Sequence, residues 1–230
     1  SRESAMTIFG TDPFSGKNAV DQNIFQFTDN FKIYQGNHTI TLGTSNRLFD
    51  FNNLFVDYFY GRYQYDSLQA FYNSAKDDSA NGNYLMKYST DPDNPAPATE
   101  MRVLQLGFYA QDKWQPSDQF QLTGGLRVDI PSYPIDLPSN PEVEQMTFKN
   151  GQQIDVSQLP DPQIHWSPRL GFNYRFGETK QFQLRGGSGI FTGRPRFVWL
   201  SNQAGNTGTL FGNVFGQKAF EPSRNPYVPE

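Results

Sequence analysis

Apolar and polar residues alternate along this chain in six stretches, and the connections between the stretches alternate between short and long. The first pair reads Phe25, Phe27, Asp29, Phe31, Ile33 and then, past Gln35-Gly36-Asn37, Ile40, Leu42, Thr44. The second reads Leu104, Leu106, Phe108, Ala110 and, past Gln115-Pro116-Ser117-Asp118, Phe120, Leu122, Gly124, Leu126, Val128. The third reads Leu170, Phe172, Tyr174, Phe176 and, past Gly177-Glu178-Thr179-Lys180, Phe182, Leu184, Gly186, Ser188, Ile190. A period of two marks strands with unlike faces, so the spacing predicts three hairpins. Long segments rich in Pro, Asp, Asn and Gly, residues 45–102 and 131–165, separate them, and a loop-like stretch runs from Arg194 to the end. Only Leu68-Gln69-Ala70-Phe71-Tyr72 has helical spacing, with Asp66 or Ser67 as its N-cap.

Alternation alone also fits a soluble sandwich with one wet face. The sorting of the connections does not. An outer-membrane barrel has short turns on its periplasmic side and long loops outside. The strands span about 10–12 residues, close to what a tilted strand needs to cross hydrocarbon. Matching apolar faces pairs Trp114 with Phe120 and Phe176 with Phe182. Phe108 then faces Leu126, and Leu106 faces Val128, or each is offset by two. Rings beside short turns are what an interfacial girdle requires. The expected fold is all-β: an antiparallel transmembrane β-barrel segment of about 6–8 strands, the last two being stretches around Phe55–Tyr65 and Tyr84–Tyr88.

This explains an otherwise odd composition. The mean hydropathy is −0.66, yet 16% of residues are aromatic, 21 of them Phe. Half of each strand faces water, so the mean is low while one face is strongly apolar. So many rings exclude a disordered chain. No apolar run is long enough for a membrane helix. The absence of Cys excludes disulfide frameworks, zinc fingers and thiolate chemistry. The net charge of −4 argues against a nucleic-acid partner. Ser1-Arg2-Glu3-Ser4 and Asn225-Pro226-Tyr227-Val228-Pro229-Glu230 read as interior sequence, so the expectation is part of a longer barrel. Six strands have two edges whose N–H and C=O groups lipid cannot satisfy.

Several segments resemble the TonB-dependent outer-membrane receptor family, in particular its Oar-like branch. They are Leu106-Gly107-Phe108-Tyr109-Ala110-Gln111-Asp112-Lys113-Trp114, Gly125-Leu126-Arg127-Val128-Asp129 and Ser167-Pro168-Arg169-Leu170-Gly171-Phe172. Arg185-Gly186-Gly187-Ser188-Gly189-Ile190-Phe191-Thr192-Gly193-Arg194-Pro195 and Val198-Trp199-Leu200-Ser201-Asn202-Gln203 continue the series. Phe27-Thr28-Asp29-Asn30-Phe31 and Gly36-Asn37-His38-Thr39-Ile40-Thr41-Leu42-Gly43 fit upstream. The resemblance implies a barrel of about 22 strands around a plug. It further implies nutrient uptake energised by an inner-membrane TonB complex, in the outer membrane of a Bacteroidetes-type bacterium. On this reading residues 1–230 are an incomplete barrel domain without plug, TonB box or terminal aromatic strand. Its partners are outer-membrane lipid, the remaining barrel and plug, the TonB complex through that plug, and a surface lipoprotein. The alternatives are a secreted all-β glycan- or peptide-binding module and a β-rich hydrolase.

No catalytic residue and no cofactor is expected. Arg127, Asp129, Arg169, Arg175 and Arg185 share the polar parity and form a candidate charge ladder along a lumen, with Asp129–Arg169 the expected pair. Trp166, Trp199, Tyr63 and Tyr65 are candidate ligand contacts, by stacking on a sugar or peptide. Asp77-Asp78 and Asp91, Asp93, Asn94 carry calcium-type oxygens without EF-hand spacing, and read as solvated loop. His38 and His165 have no zinc spacing, so no metal site is expected. Gly186-Gly187-Ser188-Gly189 lacks the Lys and helix of a phosphate loop and the elbow of a serine hydrolase.

Overall fold

The computed structural model describes residues 6–177, 179 and 181–221. The terminal stretches Ser1–Ser4 and Asn225–Glu230, and Glu178 and Lys180 of the third turn, lie outside the described residues. The elements are β1 (Asn18–Gln35), β2 (His38–Phe55), β3 (Arg62–Gln64), α1 (Leu68–Asp77), β4 (Gly82–Ser89), β5 (Thr99–Trp114) and β6 (Phe120–Ser132). They continue as α2 (Pro141–Glu144), β7 (His165–Phe176), β8 (Phe182–Gly189), α3 (Phe197–Gly205) and β9 (Phe211–Lys218). Six strands form one antiparallel sheet in the order β1-β2-β5-β6-β7-β8. Its ends, β1 and β8, do not meet, so the sheet is open. A second sheet, β3-β4-β9, is built from the long connections. Among the described residues no helix is long and apolar enough to cross a membrane.

The register keeps one parity on one face across all six strands. Phe31↔Leu42, Leu42↔Ala110, Ala110↔Leu126 and Leu122↔Phe172 lie on the apolar face. Thr41↔Gln111, Tyr109↔Arg127 and Asn173↔Arg185 lie on the polar face. Phe25, Phe27 and Phe31 on the apolar face are more than 60% exposed, with no second layer over them. A secreted sandwich would bury such rings. The sandwich expectation therefore fails on this sheet, and the transmembrane β-barrel fold class stands.

β1 and β2 each run for 18 residues, well past the stretches that alternate. The apolar sequence signal ends where Asn23, Asp21, Asp50 and Asn52 begin, but the backbone ladder continues to Asn18↔Phe55. Hydrogen bonding between strands needs no apolar side chains, so a strand can outlast its lipid-type pattern. An Asp50–Arg102 ion pair at 3.2 Å marks the limit of the apolar band on β2 and β5.

Phe176 stands opposite Phe182 as expected, with ring centroids 5.5 Å apart. Trp114 does not face Phe120. It stands opposite Leu122 and stacks on His38 at 5.8 Å. The offset arises in the turn, where Ser117 Oγ accepts from the Gln119 and Phe120 amides and absorbs the residues an in-line pair would need. Phe120 instead meets Tyr174, which stacks on Phe176, so a row of rings still borders the short turns. Phe108 faces Val128 and Leu106 faces Ile130, the two-residue offset. At the first turn Gly36 alone takes a positive φ (57°), as a II′ hairpin requires of its first central residue.

The expectation of loop from Arg194 onward is corrected: α3 and β9 lie there. Phe197, Leu200 and Ala204 form a helical stripe that packs on Phe49, Phe51, Met101 and Val103, the buried core. Those four sit on the polar face, at its long-loop end. Arg194 lies over the Phe49 ring at 4.6 Å. The two extra strands expected around Phe55–Tyr65 and Tyr84–Tyr88 exist as β3 and β4, but they pair with each other and β9 rather than extending the large sheet. α1 begins where Ser67 Oγ accepts the Ala70 amide and is longer than the five residues expected.

Candidate functional site

The polar face of the six-stranded sheet collects the charged residues singled out in the sequence. Arg127, Asp129, Arg169, Arg175 and Arg185 all have its parity. The expected Asp129–Arg169 ion pair is not formed. Arg169 stands opposite Gly125, about 13 Å along the strand from Asp129 at the usual rise per residue. Asp129 is instead held by Arg127, two residues away on the same strand and face. Arg127 Nε donates to Oδ2 at 2.8 Å and Nη2 to Oδ1 at 2.7 Å. A fork-on-fork pair is a strong charge-assisted contact, and it lets Asp129 remain only 3% exposed.

Room for this pair comes from Gly107, directly opposite Asp129. A Cβ there would collide with the Arg127 guanidinium and lie 2.9 Å from the Ser45 carbonyl oxygen. The β2–β5 ladder is interrupted at Ser45 and Asn46, and side chains take over. Thr44 Oγ1 donates to the Gly107 carbonyl at 3.0 Å, and the Gly107 amide donates to Asn46 Oδ1 at 3.2 Å. Arg127 also lies over the Tyr109 ring at 5.7 Å. Tyr109 reaches across Gly43 and donates its hydroxyl to Asn30 Oδ1 at 2.6 Å. Asp129, Arg127, Tyr109 and Asn30 thus form one network that reaches from β6 across β5 and β2 to β1 on the polar face, while Thr44 and Asn46, of the opposite parity, brace the Gly107 backbone.

Beside it, β6–β8 present a bare strip. Thr123, Gly171 and Gly187 form one row across the strands, and two adjoining depressions of about 280 and 330 Å³ share Thr123 and Gly171. Arg169 lines one and Arg185 the other.

The four aromatic candidates do not converge. Trp166 stands on the apolar face opposite Val128, 57% exposed, where an outer girdle ring would lie. Trp199 projects from the side of α3 that faces away from the core, together with exposed Gln203 and Asn206. Tyr63 packs on Tyr84 at 4.8 Å and Phe220 at 5.4 Å. Burial, reinforced by Tyr84, raises its phenol above the ordinary value. Tyr65 shares a hydrogen bond with Ser74 Oγ at 2.9 Å and meets Phe71 edge-on. Both tyrosines fasten the outer loops to one another. Asp91 closes a local turn by accepting the Asp93 amide. Among the described residues no three His, Asp or Glu side chains are grouped to hold a metal ion. His38 Nδ1 lies 2.6 Å from Asp112 Oδ2.

Sequence reasoning missed Tyr109, Asn30, Gly107 and α3. For Tyr109 the signal was parity alone, which also marks residues with no such role.

A family model described as "Outer membrane beta barrel domain" matches residues 3–228. No curated protein and no solved structure matches the chain.

Proposed function

The chain belongs to the outer-membrane β-barrel domain family, and from that premise we propose that it forms part of the wall of a TonB-dependent, Oar-like transporter for nutrient uptake. On this reading the apolar face meets lipid and the polar face lines the lumen. β1 and β8 are joined by further strands, and a plug fills the centre. The second sheet, α1 and α3 belong to the outer side, where ligand first arrives. The wall performs no covalent chemistry. The TonB complex acts through the plug, a surface lipoprotein is a further partner, and the source is a Bacteroidetes-type bacterium.

The observation that carries the reading is the division of one sheet into an uncovered apolar band, bordered by rings beside the short turns, and a polar face with a buried ion pair. Only a wall between lipid and water needs both. The sorted turns and the segments shared with Oar-like receptors support the transporter part.

The chain has no Cys, so single cysteines report cleanly. In outer-membrane vesicles of the natural protein, Phe108→Cys should resist a membrane-impermeant maleimide and react with a lipid-soluble one. Cysteine placed at Asn94, in an outer loop, should react with both. Uptake should stop when TonB is removed. Ready labelling of Phe108→Cys from water would sink the wall reading. Passage of solute without TonB would leave a passive pore in place of a receptor.

A further inference from the structure

The six strands segregate charge by face more sharply than the chain as a whole suggests. Arg127, Arg169, Arg175 and Arg185 are joined on the polar face by Lys32, Arg47 and Lys113. Among the described residues of these strands that face holds one carboxylate, Asp129, and Arg127 occupies it. Asp21, Asp29, Asp50, Glu100 and Asp112 all take the opposite parity. A chain with a net charge of −4 therefore carries a surplus of six positive charges on one face of its sheet.

We propose that the polar face of β6–β8 is a binding site for a small polyvalent anion bearing phosphate or carboxylate groups, with Arg169 and Arg185 as its cationic walls and the Thr123–Gly171–Gly187 strip as its floor. Three observations converge on this site. The row between the two arginines carries glycine on β7 and on β8, so a ligand can approach the backbone closely. Two adjoining shallow depressions, about 280 and 330 Å³, share this floor, and each is walled by one of the two arginines. The Arg169 and Arg185 backbones stand about 13 Å apart along the strands, a span that two guanidinium groups can close on one anion from opposite sides. Rings of Arg and Lys select anions in pores for the same reason. The inference rests on the reading of the polar face as a lumen, and names the class of solute that lumen takes. The competing occupant is an acidic surface of a plug, which the cross-linking arm of the test separates from a small anion.

The test uses the natural full-length protein in lipid vesicles, with radiolabelled pyrophosphate as the probe and maltose as the neutral control. Pyrophosphate should bind in a salt-dependent manner, and Arg169→Gln/Arg185→Gln should weaken it at least about tenfold. Arg169→Lys/Arg185→Lys, which keeps the charge, should stay within a few-fold of the parent and guards against a folding defect. Lys76→Gln, on α1 outside the sheet, should change nothing. Equal weakening by Arg47→Gln would overturn the site in favour of diffuse charge. Absence of pyrophosphate binding, with Phe108→Cys still shielded as expected of a wall, would overturn the inference and leave the wall reading intact. High-yield carbodiimide cross-linking of Arg169→Lys to the protein's own carboxylates, with no anion added, would assign the face to an acidic plug and also overturn it.

Discussion

Tyr109 lies across the backbone of Gly43, the residue directly opposite it in the β2–β5 ladder, and a Cβ at Gly43 would collide with its ring. The same arrangement recurs on the other face, where Phe172 covers Gly186, and in the outer sheet, where Tyr88 covers Gly212. In each case a ring fills the gap that a glycine leaves in a pleated surface. At Gly43 the ring also carries a hydrogen bond onward to Asn30 on the edge strand β1.

Gly43→Val should therefore cost more than its β-propensity gains. Overpacking at a filled site costs about 1–3 kcal/mol, and the Tyr109–Asn30 bond would be lost with it. The measurement is the urea midpoint in lipid vesicles. Tyr109→Ala should make the further change Gly43→Val nearly neutral, because the clash is then gone. Additive losses would show that the ring does not hold this place.

Asp129 and Arg127 respond differently to removal of one partner and of both. Asp129→Ala leaves a guanidinium over Gly107 without its carboxylate, and breaking a buried pair costs about 3–5 kcal/mol. Arg127 is partly exposed, with 28% of its side chain accessible, so the loss should fall toward the lower end of that range. Arg127→Met/Asp129→Leu should be less destabilising than Asp129→Ala alone. A double variant worse than the single one would mean that the pair's net contribution is larger than the burial penalty.

Much of the large sheet was legible because lipid and water impose opposite demands on alternate residues. From Phe25 to Ile33 and from Leu104 to Ala110 that contrast gives face, direction and hairpin. It fades at Asp21 and Asp50, where the face that was apolar turns polar, and on β2 the apolar residues change sides, Phe49 and Phe51 packing under α3 on the other face, so the outer halves of β1 and β2 left no alternation of the lipid type. Partner choice was less legible than face. Parity placed Arg127, Asp129 and Arg169 together, but whether Asp129 turns to Arg127 or Arg169 depends on the register of β6 on β7, which follows from the long connection between Ser132 and His165 and not from a short turn of readable type. β4 and β9 pair at Gly82↔Lys218, a separation no local pattern can encode. α3 did carry a signal in Phe197, Leu200 and Ala204, masked by Arg194-Pro195 before it and Gly205 at its end.

Asp155 offers a pH-dependent contact outside the sheet. The Ser157 hydroxyl and then the Ser157 amide donate to its carboxylate and hold its pKa below the ordinary aspartate value. A depressed carboxyl stabilises the fold above its unfolded pKa, and that contribution is lost as pH falls through the folded one. Ser157→Ala should move the Asp155 titration, followed by carboxyl NMR shifts, back up toward the ordinary value. The amides of the Asp155 turn should lose protection, measured against their intrinsic exchange rates, as pH falls through the folded pKa. An unchanged titration in Ser157→Ala would show that the hydroxyl does not set it.

Asp29 sits in the middle of the apolar face, between Phe27 and Phe31 and opposite Thr44. The basic groups of that face, His38 and Arg102, lie near its two borders, at rows shared with Trp114 and Asp50. A carboxylate on the lipid face of a barrel is unfavourable, by less than the roughly 2–4 kcal/mol found for Arg or Lys at the midplane. Asp29→Leu should consequently raise the urea midpoint of the protein in vesicles, by about 1–2 kcal/mol. β1 is an open edge, so any strand that pairs with it brings a residue beside Asp29. A fall in stability on Asp29→Leu would mean that this neighbour contributes a cation, and it would locate the contact at the row of Asp29 and Thr44.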